Sequence, residues 1–211
     1  MSKLSDNKKW IIELVLTLAI AVAAGLTVRA FVFVGVEVWG ASMEDTLYGG
    51  VLTDGEYKNS DKLVLLRRSA PERGDIIVFD SRAFEHYGDK VNNLVKRVIA
   101  VGGDTLTVVD APDGVQVLVN GQICDEPYLK ADMQAYFDLW RYDASGITDE
   151  GYSYVEWTVD ENCVFVMGDN RNNSNDSRTC GQVSLENQDY YKGKAVIRYN
   201  FSKDHRVFRF L

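Results

Sequence analysis

A single apolar segment near the start of the chain constrains its fold more than any other feature. Residues 10–28 carry one charged side chain, Glu13, in an otherwise largely aliphatic run. A helix needs about 20 such residues to cross the hydrocarbon core of a bilayer, so this run is just long enough. Lysines at positions 3, 8 and 9 precede it, and positive residues tend to remain in the cytoplasm. The sequence therefore predicts a single-pass membrane anchor, with residues 1–9 as a cytoplasmic tail and residues 29–211 outside the cell.

The same segment has two other interpretations. Ala21 and Ala23 have the small-x-small spacing of a signal-peptide cleavage site, and the basic and apolar regions before them fit a cleavable signal. The apolar character continues past Ala23 through residues 31–38, which favours an uncleaved anchor. With either the anchor or the cleavable signal, the part of the chain after the apolar segment is exported. The remaining interpretation is a buried helix of a cytosolic protein.

Downstream of this segment, apolar residues alternate with polar ones or occur in short runs, which is typical of strands. Turn signals separate the runs, and Asn120 and Gly121 suit the positive φ angles of a tight hairpin. No long amphipathic helix is evident in this part of the sequence. The pattern predicts a mainly β domain of antiparallel strands with barrel-like or Greek-key closure. Within it we expect an acidic β insertion over residues 105–163, whose portion at residues 127–150 is the hardest to assign to an element.

Composition narrows the choice of partners. The formal net charge of −8 argues against nucleic acid, because phosphate binding needs a basic surface. The three cysteines, Cys124, Cys163 and Cys180, are widely spaced, and no CxxC pair or Cys/His cluster accompanies them. We therefore expect neither a metal site nor a nucleic-acid partner. The basic residues after Tyr191 are either a solvated surface or a surface near anionic lipid headgroups.

Ser42 lies between small residues and a methionine, in the segment WGASMEDTL at residues 39–47. A serine that acts as a nucleophile needs a base to take its proton. The chain has two histidines, His86 and His205, and both lie in polar surroundings. No GxSxG motif is present in the sequence. A Ser-His-Asp triad is therefore disfavoured, and the base has to be sought elsewhere.

Lys96 is the best candidate for that base. It lies in the run NLVKRVIAV, where strand periodicity points it inward with Leu94 and Val98 and points Arg97 outward. Burial disfavours the charged amine and so lowers its pKa. At a free pKa of about 10.4, roughly one lysine in 10³ is neutral near pH 7.4, and a fall of about three units would recover up to ~4 kcal/mol of that deficit. A buried lysine beside a serine would then be a competent general base.

Four segments, in order, resemble the motifs of type I signal peptidases. GASMEDTL at residues 40–47 is similar to the nucleophile motif of that family, and RGDIIVF at residues 73–79 is similar to the strand motif that follows it. KRVIAVGGD at residues 96–104 resembles the segment with the catalytic lysine, and GDNRNNSNDSR at residues 168–178 matches the last motif throughout. The resemblance extends from about residue 10 to residue 200. The single anchor and the short chain resemble the Gram-positive-type enzymes.

The resemblance implies a membrane-bound serine endopeptidase, without metal or cofactor, that removes signal peptides from exported preproteins. Ser42 would be the nucleophile and Lys96 the general base, and Ser174 would hydrogen-bond Lys96 and orient it. A buried polar network would hold the site together, made of Asp169, Arg171, Asp176 and Arg178. An extended peptide would pair with strand edges on either side of the site. The residues expected to contact it are Val36, Val38, Met43, Leu94 and Val95.

Three features depart from the pattern of the family, and one of them is the segment AVGGD at residues 100–104, which replaces the usual Gly-x-Pro-Gly-Asp. Asp45 replaces the usual proline, and Gly40 replaces a serine whose hydroxyl assists the oxyanion hole in some relatives. A carboxylate near Lys96 would stabilise the protonated amine. Asp45 therefore either points away from Lys96 or shifts the acid limb of the pH–rate profile upward. In the second case, Asp45→Pro moves that limb to lower pH.

Two other functions remain open at this point. A Ser/Lys self-cleaving repressor would resemble this fold and dyad, but it would be cytosolic with a DNA-binding helical head, whereas this chain is acidic and begins with an apolar span. A catalytically silent, membrane-tethered binding protein would keep the scaffold without the reaction. The presence of Ser42, Lys96, Ser174 and Asp176 argues against the silent protein.

Overall fold

The computed structural model describes residues 6–31, 33–44, 46–87, 92–133 and 145–211. Its first element is a long helix, α1 (Asp6–Phe31). Within α1, the segment Lys8–Leu26 is long and apolar enough to cross a membrane, and none of it is buried against the rest of the described chain. A core helix of a soluble protein would bury one face, so the buried-helix interpretation is wrong. The exposure of α1 agrees with an anchor and also with a signal sequence.

Short strands make up most of the chain after α1. In chain order they are β1 (Phe33–Glu37), β2 (Val51–Thr53), β3 (Glu56–Lys58), β4 (Lys62–Leu66), β5 (Ile76–Asp80), β6 (Asn93–Val101), β7 (Thr105–Ala111), β8 (Gly114–Val119), β9 (Gln122–Ile123), β10 (Gly146–Ile147), β11 (Ser153–Thr158), β12 (Cys163–Met167), β13 (Val183–Ser184), β14 (Tyr191–Phe201) and β15 (Arg206–Phe210). A 3-10 helix (Ser81–Ala83) and a one-turn helix, α2 (Ser177–Cys180), lie between strands. The prediction of a mainly β domain is confirmed.

Most strands belong to one eight-stranded antiparallel sheet. Its order is β1-β4-β14-β5-β6-β12-β13, and β15 pairs with β14. Among the described strands this sheet does not close into a barrel, because β1 and β13 end it without pairing to each other. The second half of β6 pairs with β12, whereas its first half pairs only with β5. One edge of that first half is therefore free, and it lines the same cleft as β1.

The segment after Ser42 is fixed by its own apolar side chains. Met43 and Leu47 are almost fully buried in a cluster with Leu63 and Val78 from the neighbouring strands. Burying a side chain of this size contributes about 1.5–3 kcal/mol each. The turn that carries Ser42 is therefore held at two points by the hydrophobic core.

A second, five-stranded sheet with the order β10-β11-β7-β8-β9 lies between residues 105 and 158. Asn120 and Gly121 join β8 to β9 with φ angles of +53° and +75°, as the hairpin prediction requires. Leu106 of this sheet packs in one cluster with Phe165 of β12, which attaches the small sheet to the large one. Residues 134–144, in the middle of the acidic segment, lie outside the described residues.

Candidate active site

Ser42 lies in the connection between β1 and β2, and we call residues 38–50 the serine loop. Gly40 begins the turn with a φ of +82°, in the left-handed region that favours glycine. The turn continues with a hydrogen bond of 2.8 Å from Leu47 N to Met43 O. Glycine therefore permits the turn, and the two buried side chains that follow keep it in place. Ser42 itself is half-buried at the floor of the cleft.

Lys96 lies in the middle of β6, and only 3% of it is exposed. Its Nζ donates a hydrogen bond of 2.7 Å to Ser42 Oγ. Val95 and Val98 are buried beside it, and Leu94 is half-buried. The structure thus brings together two side chains that are 54 residues apart in the sequence, in the apolar setting that the strand pattern indicates.

Burial lowers the pKa of Lys96 from 10.5 to about 8, because the ammonium group loses its hydration. The carboxylates of Asp176 and Asp169 act in the opposite direction, while the guanidinium of Arg178 adds to the lowering of this pKa. With such a pKa, about half of the amines are neutral at pH 8 and roughly one in ten at pH 7. A free lysine is neutral in fewer than roughly one molecule in 10³ at pH 7. The amine is therefore able to accept a proton near neutral pH.

Residues 168–178, which we call the polar loop, follow β12. Asp176 pairs with Arg178 through two contacts of 2.8 Å, from Nε to Oδ1 and from Nη2 to Oδ2. Gly168 N donates to Asp176 Oδ2 at 2.9 Å. Burial alone would raise the pKa of Asp176, but the Arg178 guanidinium and the Gly168 N–H outweigh it and hold that pKa below its ordinary value. This paired, charged turn is stiff and lies close enough to Lys96 to affect its pKa.

The other two charged residues of the polar loop pair outside it. Asp169 accepts two hydrogen bonds from Arg97 of β6, at 2.8 Å from Nε and 2.6 Å from Nη2. Arg171 forms a double contact with Glu126, and its Nε donates to Gly168 O at 3.2 Å. All four residues of the expected network are buried. Asp176 and Arg178 pair with each other inside the polar loop. Asp169 and Arg171 connect the loop to β6 and to the segment after β9.

Arg97 corrects one expectation from the sequence. Periodicity places it on the face of β6 opposite Lys96, but that face is covered, and only 11% of the Arg97 side chain is exposed. Its guanidinium lies 3.8 Å from the centroid of the Tyr128 ring. Val95 and Ile99 share the face of Arg97 and are apolar, so the sequence does signal a strand covered on both sides. Tyr128 lies in a segment without a recognisable motif, so no such signal points to it.

Ser174 is close to the site but does not make the expected bond. Its Oγ is buried and has no hydrogen-bond partner among the residues that the structure describes, so the expected bond to Lys96 is not formed. A Cβ added to Gly168 would lie 2.3 Å from Ser174 Oγ and also 2.3 Å from the carbonyl oxygen of Ser42. Gly168 therefore lies directly between these two serines, where no larger residue fits.

Asn170 connects the polar loop to the serine loop. Its main-chain N donates to Ser42 O at 3.1 Å, and its Nδ2 donates to Ala41 O at 3.1 Å. Asn170 belongs to the last of the four sequence motifs, but nothing in its local sequence indicates this bridging role. These two bonds fix the orientation of the peptide groups on either side of Ser42.

A cleft of about 480 Å³ opens beside Ser42 and Lys96. One wall is the last part of β1 with the start of the serine loop, and the other is Asn92 with the first four residues of β6. All five residues expected to contact a substrate line it: Val36, Val38, Met43, Leu94 and Val95. The cleft lies between two strands, β1 and the first part of β6, that each have a free edge, which suits an extended peptide.

The remaining candidates lie elsewhere. Neither His86 nor His205 lines the cleft. The three cysteines are free thiols. In the described part of the chain, no group of three or more His, Cys, Asp or Glu could hold a metal ion. Asp45 lies outside the described residues, so the hypothesis about its carboxylate stays a prediction.

The known proteins that resemble this chain belong to one family. The family model described as "Signal peptidase, peptidase S26" matches residues 11–200. Signal peptidase I S of Bacillus subtilis (strain 168) is 34% identical over 175 residues, which cover 82% of this chain and 81% of that protein. Signal peptidase I of Bacillus caldolyticus is 34% identical over 184 residues, which cover 85% of this chain and 86% of that protein. A crystal structure of a signal peptidase I from Enterococcus faecalis V583 matches 60% of this chain and 97% of its own, at 26% identity and a TM-score of 0.40.

Proposed function

Because the chain belongs to the signal peptidase family, peptidase S26, we propose that it is a membrane-bound serine endopeptidase that removes N-terminal signal peptides from exported preproteins. The observation that carries the mechanism is the 2.7 Å contact between the buried amine of Lys96 and the hydroxyl of Ser42. Ser42 is the nucleophile and Lys96 the general base. The proposed reaction needs neither a metal nor a cofactor.

The reaction is acyl transfer in two halves. Neutral Lys96 takes the hydroxyl proton as Ser42 Oγ attacks the scissile carbonyl carbon, and the carbonyl oxygen becomes an oxyanion. The C–N bond then breaks, Lys96 gives its proton to the leaving amine, and an ester on Ser42 remains. In the second half, Lys96 takes a proton from water as the water oxygen attacks the ester. The ester bond breaks, the proton returns to Ser42 Oγ, and the cleaved signal peptide leaves as a carboxylic acid.

Two further groups are assigned around this chemistry. Ser174 is a second hydrogen-bond partner for Lys96 while Ser42 is acylated, a role supported by its buried, unpartnered Oγ beside the Ser42 main chain. The oxyanion is held by the main-chain N–H of Ser42 and a second main-chain donor, since Gly40 offers no hydroxyl. Asp169, Arg171, Asp176 and Arg178 support the site through the paired contacts of the polar loop.

The substrate is an extended segment of preprotein that lies in the cleft. It pairs through its main chain with the free edges of β1 and β6, as an added strand does. Apolar side chains on both walls favour small residues near the cut, because the pockets they form are shallow. Val36, Val38, Leu94 and Val95 make these contacts.

The anchor places this site at the membrane. We assign residues 1–9 to the cytoplasm, residues 10–28 to the bilayer and residues 29–211 to the outside of the cell, with residues 105–163 as an acidic β insertion. Three lysines before the span support this orientation. Confinement to the membrane surface raises the effective concentration of the enzyme where exported chains emerge. Protease treatment of intact cells tests the topology, since it should remove the β domain and leave the N-terminal tail protected.

A preprotein-processing assay tests the activity. Full-length wild type, Ser42→Ala, Lys96→Ala and the exposed control Lys203→Ala are solubilised in detergent and incubated with a labelled preprotein. Wild type and the control should release mature protein at equal rates, and the first two variants should be slower by about 10⁴-fold or more. Equal processing by all four proteins would contradict the assignment.

The same assay separates the competing functions. A silent binding protein would leave the preprotein intact in every sample, including wild type. A self-cleaving protein would shorten its own chain in a Ser42-dependent manner and leave the preprotein intact. Signal peptidase activity is the outcome in which only the preprotein is cut and the cut depends on Ser42 and Lys96.

A further inference from the structure

We infer that Asp61 and Arg198 are positioning residues that clamp the serine loop and so set the position of Ser42 for the reaction. This inference rests on the proposed function. It concerns contacts separate from those of the polar loop, made to a different part of the serine loop.

Asp61, directly before β4, is fully buried and bonds to both ends of the serine loop. Its carbonyl oxygen accepts from Val38 N at 2.8 Å, where the loop leaves β1. Its own N–H donates to Tyr48 O at 2.9 Å, and its carboxylate Oδ2 accepts from Tyr48 N at 2.7 Å. One residue therefore closes the loop through three hydrogen bonds, one of them to a charged group.

Arg198 of β14 joins this carboxylate to the middle of the loop. Its Nε lies 2.6 Å from Asp61 Oδ2 in an ion pair that lacks the angle of a hydrogen bond, and its Nη1 donates to the carbonyl oxygen of Thr46. Asn200 Nδ2 donates to Asp61 Oδ1 at 3.1 Å, and His205 Nε2 lies 3.1 Å from Arg198 Nη2. The guanidinium is thus contacted by Thr46 of the serine loop, by Asp61 before β4 and by His205 after β14.

The chemistry of these groups suits a clamp. Loop peptide groups usually bond to water or to neutral partners, whereas Thr46 and Tyr48 bond to an arginine and a buried carboxylate. Charge-assisted hydrogen bonds, such as those from Arg198 to Thr46 and from Tyr48 to Asp61, are roughly twice as strong as neutral ones. Removing one member leaves the other buried and uncompensated, so the pair acts as a unit.

Neither Asp61 nor Arg198 lines the cleft, so neither contacts the substrate directly. The clamp holds the loop four and six residues after Ser42, while Asn170 holds it at Ala41 and Ser42. A shift of about 1 Å in a reacting group costs on the order of 10²-fold in rate. Loss of the clamp should therefore lower kcat and leave KM nearly unchanged, because the walls that bind the peptide remain.

The test uses Arg198→Lys and Asp61→Asn in the full-length protein, with Arg206→Lys as the matched control. Arg206 is an exposed arginine of β15 and belongs to no part of the site. Lysine keeps the positive charge of Arg198 but cannot reach Asp61 and Thr46 at once. For both clamp variants we expect kcat for preprotein cleavage to fall about 10- to 100-fold, with KM within about threefold of wild type. The acid limb of the pH–rate profile should not move, because Lys96 keeps its surroundings.

Amide hydrogen exchange provides a readout that does not depend on activity. Peptides containing residues 46–48 should exchange faster in both clamp variants and at the wild-type rate in the control. A wild-type kcat in Arg198→Lys, or unchanged exchange in that region, would overturn the inference, as would a lower melting temperature with a normal kcat. If wild type itself processes no preprotein, the proposed function fails, and the exchange data still decide whether the clamp holds the loop. Should Asp61→Asn fail to fold, Arg198→Lys carries the test alone.

Discussion

The two faces of β6 carry neighbouring basic residues, and the protein treats their charges in opposite ways. Lys96 is buried on one face with a serine hydroxyl as its hydrogen-bond partner, and its pKa falls to about 8. Arg97 is half-buried on the other face, with two hydrogen bonds to Asp169 and a tyrosine ring against its guanidinium. The hydrogen-bond partner of Lys96 is a neutral hydroxyl, whereas Arg97 has a carboxylate as its ion-pair partner.

This difference shows that burial alone does not determine whether a basic side chain keeps its proton. A dehydrated ammonium group can release its proton, whereas a guanidinium keeps its proton and demands an anionic partner. Burial of the Lys96 amine therefore lowers the free energy of unfolding and favours the neutral amine. On the other face, the bonds of Arg97 to Asp169 support the polar loop. Substitutions on the two faces should differ in both the kind and the size of their effects, with the largest effect on the reaction itself.

The first prediction makes the two faces chemically alike. Lys96→Arg should lower the rate of preprotein cleavage by at least about 10⁴-fold, because arginine cannot act as a base in the accessible pH range. Initial rates with a labelled preprotein measure the effect. Lys203→Ala serves as the control, since it changes an exposed lysine far along the chain and leaves Lys96 in place. A Lys96→Arg enzyme with more than about one hundredth of wild-type activity would show that Lys96 is not the base.

The second prediction removes the compensated cation. Arg97→Ala should reduce the free energy of unfolding by about 3–5 kcal/mol, because Asp169 would remain buried without its partner. Urea unfolding in detergent, followed by tryptophan fluorescence, measures the loss. The double variant Arg97→Ala/Asp169→Ala should recover part of it, since no unpaired charge then remains. A loss below about 1 kcal/mol would mean that this pair contributes no more than an exposed one.

The third prediction removes the uncompensated cation. Lys96→Met should abolish activity and raise the free energy of unfolding by about 3 kcal/mol at pH 7. The folded-state pKa of about 8 lies below the unfolded value of 10.5. The charged amine therefore lowers the free energy of unfolding by its full amount below pH 8, and this loss disappears as the pH rises toward 10.5. The advantage of the variant should therefore shrink over that interval. An advantage that does not change with pH would place its origin in packing instead.

The fourth prediction concerns the pH dependence of the wild-type enzyme. If Lys96 is the general base, as proposed, only its neutral form is active, so kcat/KM should rise about tenfold per pH unit below pH 8 and level off above the Lys96 pKa of about 8. Measurements of kcat/KM from pH 6 to 9.5 with one preprotein locate this limb. Arg97→Lys should leave the limb in place. A limb near pH 10.4 would mean that the amine stays hydrated during turnover.

Much of the site could be predicted because its chemistry is local in the sequence. The strand around Lys96 is apolar at alternate positions, and that pattern alone implies a dehydrated amine. The apolar span, the hairpin at Asn120 and the mainly β character follow from equally local patterns. The residues expected around the cleft also lie there, because they flank Ser42 and Lys96 in the chain.

What could not be predicted depends on contacts between distant segments. No local pattern tells that Asp169 pairs with Arg97, 72 residues away, or that Arg198 reaches Thr46 across 152 residues. The open sheet also escaped prediction, because alternation in a strand does not show whether its last edge finds a partner. The hydrogen bond expected between Ser174 and Lys96 is absent from the described structure, where Lys96 Nζ bonds to Ser42.

The short link between α1 and β1 limits how far the nucleophile can stand from the end of the helix. Helix α1 ends at Phe31, β1 begins at Phe33, and Ser42 follows the end of the helix by eleven residues. Even a fully extended chain of that length spans at most about 40 Å. If α1 crosses the bilayer, Ser42 lies no farther than this distance from the end of the membrane-spanning helix. Insertions in this link would allow Ser42 to lie farther from the membrane without altering any residue of the cleft.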